Sequence, residues 1–141
     1  MSKNNHITLF ILLFTLMVLT GCQAEKSPGT EVKVDGGSYR LVIVSDLQTL
    51  LENKDFVLIN VHIPWQGDIP KTDLRLPYNE IEQNLSQLPV EKDAKILVYC
   101  LTSGMAKKAV ATLLAQGYTD LWMLDGGTTS WEEAGFVLEK E

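Results

Sequence analysis

The sequence predicts an α/β fold: one three-layer domain in which a central parallel sheet is flanked by helices. Three observations point there. Short apolar runs of strand length, Phe56–Val61 and Lys95–Tyr99 foremost, lack polar alternation, as strands covered on both faces do. Segments with helical spacing separate those runs, the order that builds a parallel sheet. A chain of 141 residues with 45% hydrophobic composition has room for one domain and little else.

The N-terminus is read as an address. Every acidic residue, and every basic residue except Lys3, lies after position 21, and Ile7–Thr20 is one apolar run. That run is shorter than the roughly 20 residues a spanning helix needs, and no basic stop-transfer cluster follows it. Residues 1–21 are therefore expected to be a signal peptide. Leu19-Thr20-Gly21-Cys22 resembles the lipobox of bacterial lipoproteins, which implies an exported chain whose Cys22 is acylated and anchored to a cell or outer membrane. Gln23 rather than Asp after that cysteine resembles the outer-membrane sorting pattern of diderm bacteria. Residues 22–38, polar and containing Pro28, Gly29, Gly36 and Gly37, are expected to be a flexible tether, with the folded domain over 39–141.

Within the domain, Leu41–Val44 reads as a strand, and Ser45 with Gln48 has the capping-box spacing that opens a helix to Glu52. Phe56–Val61 is the next strand and His62–Asp73 a Pro- and Gly-containing loop. Asn79–Leu88 carries Ile81, Leu85 and Leu88 at helical spacing. Lys95–Tyr99 is a buried strand, Met105–Gln116 an amphipathic helix stopped by Gly117, Leu121–Leu124 a last strand, and Thr129–Ala134 a short helix stopped by Gly135.

Ligands of such sheets collect at the carboxyl ends of the strands. Cys100 stands there, where Ile96–Tyr99 gives way to a loop and then a helix, in Cys100-Leu101-Thr102-Ser103-Gly104-Met105-Ala106. Loop N–H groups and the positive end of the following helix converge on such a point and stabilise an anion. Cys100 is thus the candidate nucleophile, with Leu101 to Ala106 as the candidate substrate-binding loop. Each has a plainer reading: free cysteine is often a small buried hydrophobe, and Thr102 and Ser103 also serve as turn formers.

Tyr99-Cys100, Ser103-Gly104, Gly117-Tyr118, Leu124-Asp125-Gly126-Gly127, Trp131 and Gly135 follow in order the pattern of Cys loop, Gly-Tyr, Leu-x-Gly-Gly and Trp. Upstream, Leu58-Ile59-Asn60-Val61-His62-x-Pro64 and Gly67-Asp68-Ile69-Pro70 match a strand end and a turn of the same pattern. Over about Tyr39 to Leu138 the chain resembles the rhodanese family. The resemblance implies a rhodanese-like domain and a sulfurtransferase that carries sulfane sulfur as a persulfide on Cys100. Its partners would be a small sulfur-containing donor and a thiol or other nucleophilic acceptor. Gly126, Gly127 and Trp131 are read as architectural, the glycines for close backbone approach and the tryptophan for packing.

Three departures stand out. Asn60 and His62 replace an Asp and an Arg of the family pattern, and Met105 stands where many active members have Arg, whose planar fork would grip an anionic donor such as thiosulfate. Lys107 and Lys108 either restore some positive field or are solvated helix-face lysines. His62 is either a loop residue at the core edge or a base. Met105 therefore keeps a second function class open, a catalytically weak or inactive rhodanese-like binding module at the membrane surface. A phosphatase or arsenate reductase of the related Cys-loop type needs a longer loop ending in Arg, which neither Met105 nor Ala106 provides.

The formal net charge of -6 argues against a nucleic-acid partner. No metal site and no cofactor are expected, because His62 and Cys100 alone make no ligand set. With Cys22 acylated, any resolving thiol comes from another molecule.

Overall fold

The computed structural model describes residues 27–141. The elements in order are β1 (Thr30–Val34), β2 (Gly37–Val42), α1 (Val44–Glu52), β3 (Val57–Asn60), β4 (Leu74–Arg75), a 3₁₀-helix (Glu82–Gln87), β5 (Ile96–Tyr99), α2 (Gly104–Ala115), β6 (Leu121–Leu124) and α3 (Gly127–Glu133). They build one six-stranded sheet in the order β1-β2-β6-β5-β3-β4. All neighbours are parallel except β1 and β2.

The apolar runs behave as their composition requires. Every residue of β5 and β6 is buried, and alternate side chains feed two cores. On one face Ile59, Val98 and Met123 pack with Ala106, Ala109, Val110 and Leu113 of α2 and with Ile81 and Leu88 around the 3₁₀-helix. On the other face Leu58, Leu97, Tyr99, Trp122 and Leu124 pack with Leu47 and Leu51 of α1 and with Trp131 of α3. Burying Leu- or Trp-sized side chains contributes about 1.5–3 kcal/mol each, so these two layers hold the strand ends in place.

The structure corrects four expectations. The tether reading of residues 22–38 fails over 30–38, where a β-hairpin forms: Val34 pairs with Gly37, Asp35-Gly36 makes the turn with Gly36 at φ 88, and Val32 packs on the core. The domain thus begins before Tyr39. The strand expected at Leu41–Val44 is β2 and ends at Val42. The helix after it starts at Val44, so Ser45 and Gln48 form no box; instead the Asp46 carboxylate accepts from the Ile43 N–H at 3.2 Å. Asn79–Leu88 is not an amphipathic α-helix but a 3₁₀-helix broken at Asn84 (φ -122). Flanked by Pro77 and Pro89, that segment needs only to seat Ile81 and Leu88, and its Asn84 amide donates back to the Glu80 carbonyl. Helices α2 and α3 and strands β3 and β5 lie where expected to within one or two residues.

Residues 1–21 and Cys22, the signal-peptide and lipidation expectations, lie outside the described residues. Among the described residues, no helix is long and apolar enough to cross a membrane.

Candidate active site

Cys100 follows the last residue of β5 at the carboxyl edge of the sheet, with Leu101, Thr102 and Ser103 between it and the first turn of α2. The loop is fastened from behind. Thr128 N–H donates to the Cys100 carbonyl and Thr129 N–H to the Leu101 carbonyl, both at 2.9 Å. This fit depends on glycine. Gly126 and Gly127 have φ of 69 and 56, and a Cβ on Gly127 would lie 2.1 Å from the Cys100 carbonyl oxygen and 2.6 Å from that of Thr102. The Leu-x-Gly-Gly stretch is therefore the rear wall of the Cys loop.

Ser103 occupies the N-cap position of α2, yet its hydroxyl does not cap the helix. It accepts instead from the Gly126 N–H at 3.2 Å. The first N–H groups of any helix lack intrahelical partners, so diverting the Ser103 side chain leaves the first turn of α2, at the end of the Cys loop, without a side-chain cap. These donors are the part of the site able to hold an anion.

The remaining loop residues divide by exposure. Thr102 and Gly104 are exposed, Leu101, Ser103 and Met105 half-buried, and Ala106 fully buried, where its small side chain lets α2 approach the sheet. Met105 packs against the same apolar cluster that contains Cys100, and a thioether there offers no donor to an anion. Cys100 itself is 1% exposed, so its side chain is closed from solvent. Neither lysine supplies the missing fork. Lys108 Nζ stands 5.3 Å from the Tyr78 ring centre, and Lys107 lines a cleft with Val34, Asp35 and Tyr39 of the hairpin.

His62 sits just past β3. Val61 N–H donates to the Tyr99 carbonyl at 2.9 Å, which brings the residues after β3 alongside the start of the Cys loop. Both ring nitrogens of His62 are shut off from solvent with no hydrogen-bond partner among the described residues, and burial pushes its pKa below the usual histidine value. The ring is neutral near pH 7.

The sequence reasoning missed a buried polar cluster on the opposite face of the same edge. Asn60 Nδ2 donates to Asp68 Oδ1 at 2.8 Å and to the Gly67 carbonyl at 3.0 Å, and Arg75 Nε donates to Asp68 Oδ2. Tyr99 Oη accepts from the Ile69 N–H at 3.0 Å and lies 2.7 Å from the Thr72 hydroxyl. Burial alone would raise the Asp68 pKa, but hydrogen bonds from Asn60, Arg75 and Trp65 and the Arg75 charge outweigh it and hold the carboxyl below the usual range. Burial also drives the Tyr99 phenol far above its ordinary value, so it stays neutral. The chain end is clasped to this cluster: Asp68 and Glu139 exchange two backbone hydrogen bonds of 2.8 Å, and Arg75 Nη2 donates to the Glu141 carbonyl at 2.9 Å. The signal was Asn60, a polar residue inside an otherwise apolar strand, which requires buried partners. Among the described residues no group of His, Cys, Asp and Glu is arranged to hold a metal.

Known proteins share this architecture. The family described as Rhodanese-like domain matches residues 45–134. A sulfurtransferase of Allochromatium vinosum is 33% identical over 94 residues, 64% of this chain and 85% of that relative. A thiosulfate sulfurtransferase GlpE of Pseudoalteromonas translucida is 26% identical, over 69% of this chain and 92% of its own. Among solved structures, a rhodanese-related protein of Thermoplasma volcanium superposes with a TM-score of 0.61 at 25% identity, covering 73% of this chain and all of that one.

Proposed function

Since the chain belongs to the rhodanese-like domain family, we propose that it is a sulfurtransferase that carries sulfane sulfur on Cys100. The Cys100 thiolate attacks the outer sulfur of a donor such as thiosulfate. A new S–S bond forms, the donor's S–S bond breaks, and sulfite leaves with the bonding pair. An acceptor thiolate then attacks the terminal sulfur and regenerates the Cys100 thiolate. Negative charge is carried throughout at the first turn of α2.

The observation that carries this reading is the diverted cap. Ser103 serves Gly126 rather than its own helix, which leaves the N–H groups at the end of the Cys loop without the side-chain acceptor that a purely structural helix start would supply. The sulfurtransferase relatives support the same reaction class. Sulfite release from thiosulfate in the presence of a thiol tests it: activity in the native chain and none in Cys100→Ser is expected, and equal rates in both contradict it.

Two observations favour a second reading, a rhodanese-like module that binds rather than catalyses. Cys100 is closed from solvent, and Met105 replaces an anion grip with an apolar contact. Under that reading Cys100→Ser retains full biological activity and neither protein releases sulfite.

The reading also places the chain outside the cytoplasm, held at a membrane by acylated Cys22 after removal of residues 1–21. Its support is the apolar run followed by Leu19-Thr20-Gly21-Cys22. Palmitate incorporation that disappears in Cys22→Ala tests it.

A further inference from the structure

We infer that the sheet edge carrying Cys100 is held toward the bilayer surface by the shortness of the N-terminal connection. This rests on the lipid-anchor reading of Cys22. Because β1 is antiparallel to β2, with Thr30 opposite Leu41, the chain enters the domain at the carboxyl ends of the parallel strands. Ser27, Pro28 and Gly29 line one cleft with Ile43, Asp46 and Asp125. Asp125 leads directly into Gly126, whose N–H is bound to Ser103 of the Cys loop. Entry point and Cys loop are thus adjoining parts of one edge. In the strand order, β2 and β5 are separated by β6 alone, a lateral distance of about 10 Å at ordinary strand spacing.

The connection is short on the scale of the domain. Five residues lead from Cys22 to Ser27, and a fully extended chain of that length spans about 18 Å. A domain of this size is about 34 Å across. The anchor therefore cannot reach around to let the opposite edge, where Asp93 and Lys95 precede β5, rest on the lipid. Exposed apolar side chains do not decide the matter, because Ile43 and Trp65 lie on the Cys100 edge while Val90 precedes β5. Asp46 and Asp125 beside the entry cleft oppose insertion into an anionic surface, so the tether and not adhesion sets the orientation. A sulfur donor or acceptor is accordingly met at the headgroup layer.

The test uses the full lipidated chain in phosphatidylcholine vesicles containing a headgroup nitroxide lipid. In a Cys100→Ser background, a fluorophore is placed on Thr102→Cys at the Cys100 edge or on Asp93→Cys at the opposite edge. Severalfold stronger quenching at position 102 is expected. A flexible Gly-Ser insertion of roughly 30 residues after Ala24, long on the scale of the domain, is expected to bring the two positions close to equality. Equal quenching, or stronger quenching at 93, in a native-length chain that floats with the vesicles overturns the orientation and leaves the anchor reading standing. A chain that does not float and carries no diacylglyceryl mass on Cys22 overturns the anchor reading and this inference with it. Neither readout depends on sulfur transfer.

Discussion

Gly127 and Cys100 are in such close backbone contact that the smallest possible side chain on the glycine would lie 2.1 Å from the Cys100 carbonyl oxygen. Gly127→Ala is therefore expected to displace the Cys loop. Its φ of 56 alone costs a residue with a side chain about 1–2 kcal/mol, and the overlap adds to that. Gly135 also has positive φ, at 91, but a Cβ there meets nothing within 4 Å. Thermal melts with sulfite-release assays should show Gly135→Ala destabilised by the φ strain alone and still active, and Gly127→Ala more destabilised and inactive.

Met105 marks the missing anion grip. Arginine at that position places charged donors at the end of the Cys loop, and a charge-assisted hydrogen bond contributes about 1.5–3 kcal/mol. Met105→Arg is expected to lower KM for thiosulfate by roughly tenfold. Steady-state kinetics over a range of thiosulfate check this; an unchanged or raised KM would show that the first turn of α2 does not face the donor.

Two groups lower stability as pH falls, each in its own pH window. His62 has a depressed folded pKa, so its contribution is fully present above its unfolded value of about 6.5 and is lost as pH falls from there through the folded value. Asp68 is also depressed, and its contribution is present above about 3.9 and lost below, as pH falls through the folded value. Denaturant midpoints across pH should fall in two stages. His62→Phe is expected to remove the upper stage and Asp68→Asn the lower.

The C-terminal residues hold the buried cluster shut. Removing Glu139–Glu141 deletes both backbone bonds to Asp68 and the Arg75 contact with the Glu141 carbonyl. At about 0.5–1.5 kcal/mol per net hydrogen bond, the three lost bonds predict a loss of roughly 1.5–4.5 kcal/mol in chemical denaturation. Sulfite release should survive, because the cluster lies on the Tyr99 face of the sheet and Cys100 on the other.

Strand and helix placement was legible wherever one physical signal dominated. The β5 and β6 runs have no polar position to suggest another fate, and the α2 stripe of Ala106, Ala109, Val110 and Leu113 is buried as its spacing predicts. The hairpin at 30–42 is hidden in the sequence because Pro28, Gly29, Gly36 and Gly37 also have linker composition. Asp-Gly between Val32-Lys33-Val34 and Tyr39-Arg40-Leu41 is nonetheless a two-residue hairpin signal. The 3₁₀ segment resembles an α-helix in sequence because Ile81, Leu85 and Leu88 satisfy helical spacing, while Asn84 and the flanking prolines set the backbone.

At the site, the position of Cys100 and the role of Gly126-Gly127 could be read from the chain. Other features depend on contacts between segments far apart in sequence. The Ser103 hydroxyl turns to Gly126 rather than to its own helix. Asp68 meets Asn60, Arg75 and Glu139. No local pattern encodes such pairings.

The central claim is sulfur carriage on Cys100, and intact mass measurement tests it most directly. The full chain, incubated with thiosulfate and weighed without reductant, is expected to gain the mass of one sulfur atom, located on the Cys100 peptide, lost on adding a thiol and absent in Cys100→Ser. A chain that keeps its original mass under thiosulfate and polysulfide alike, or gains sulfur equally in Cys100→Ser, contradicts the account.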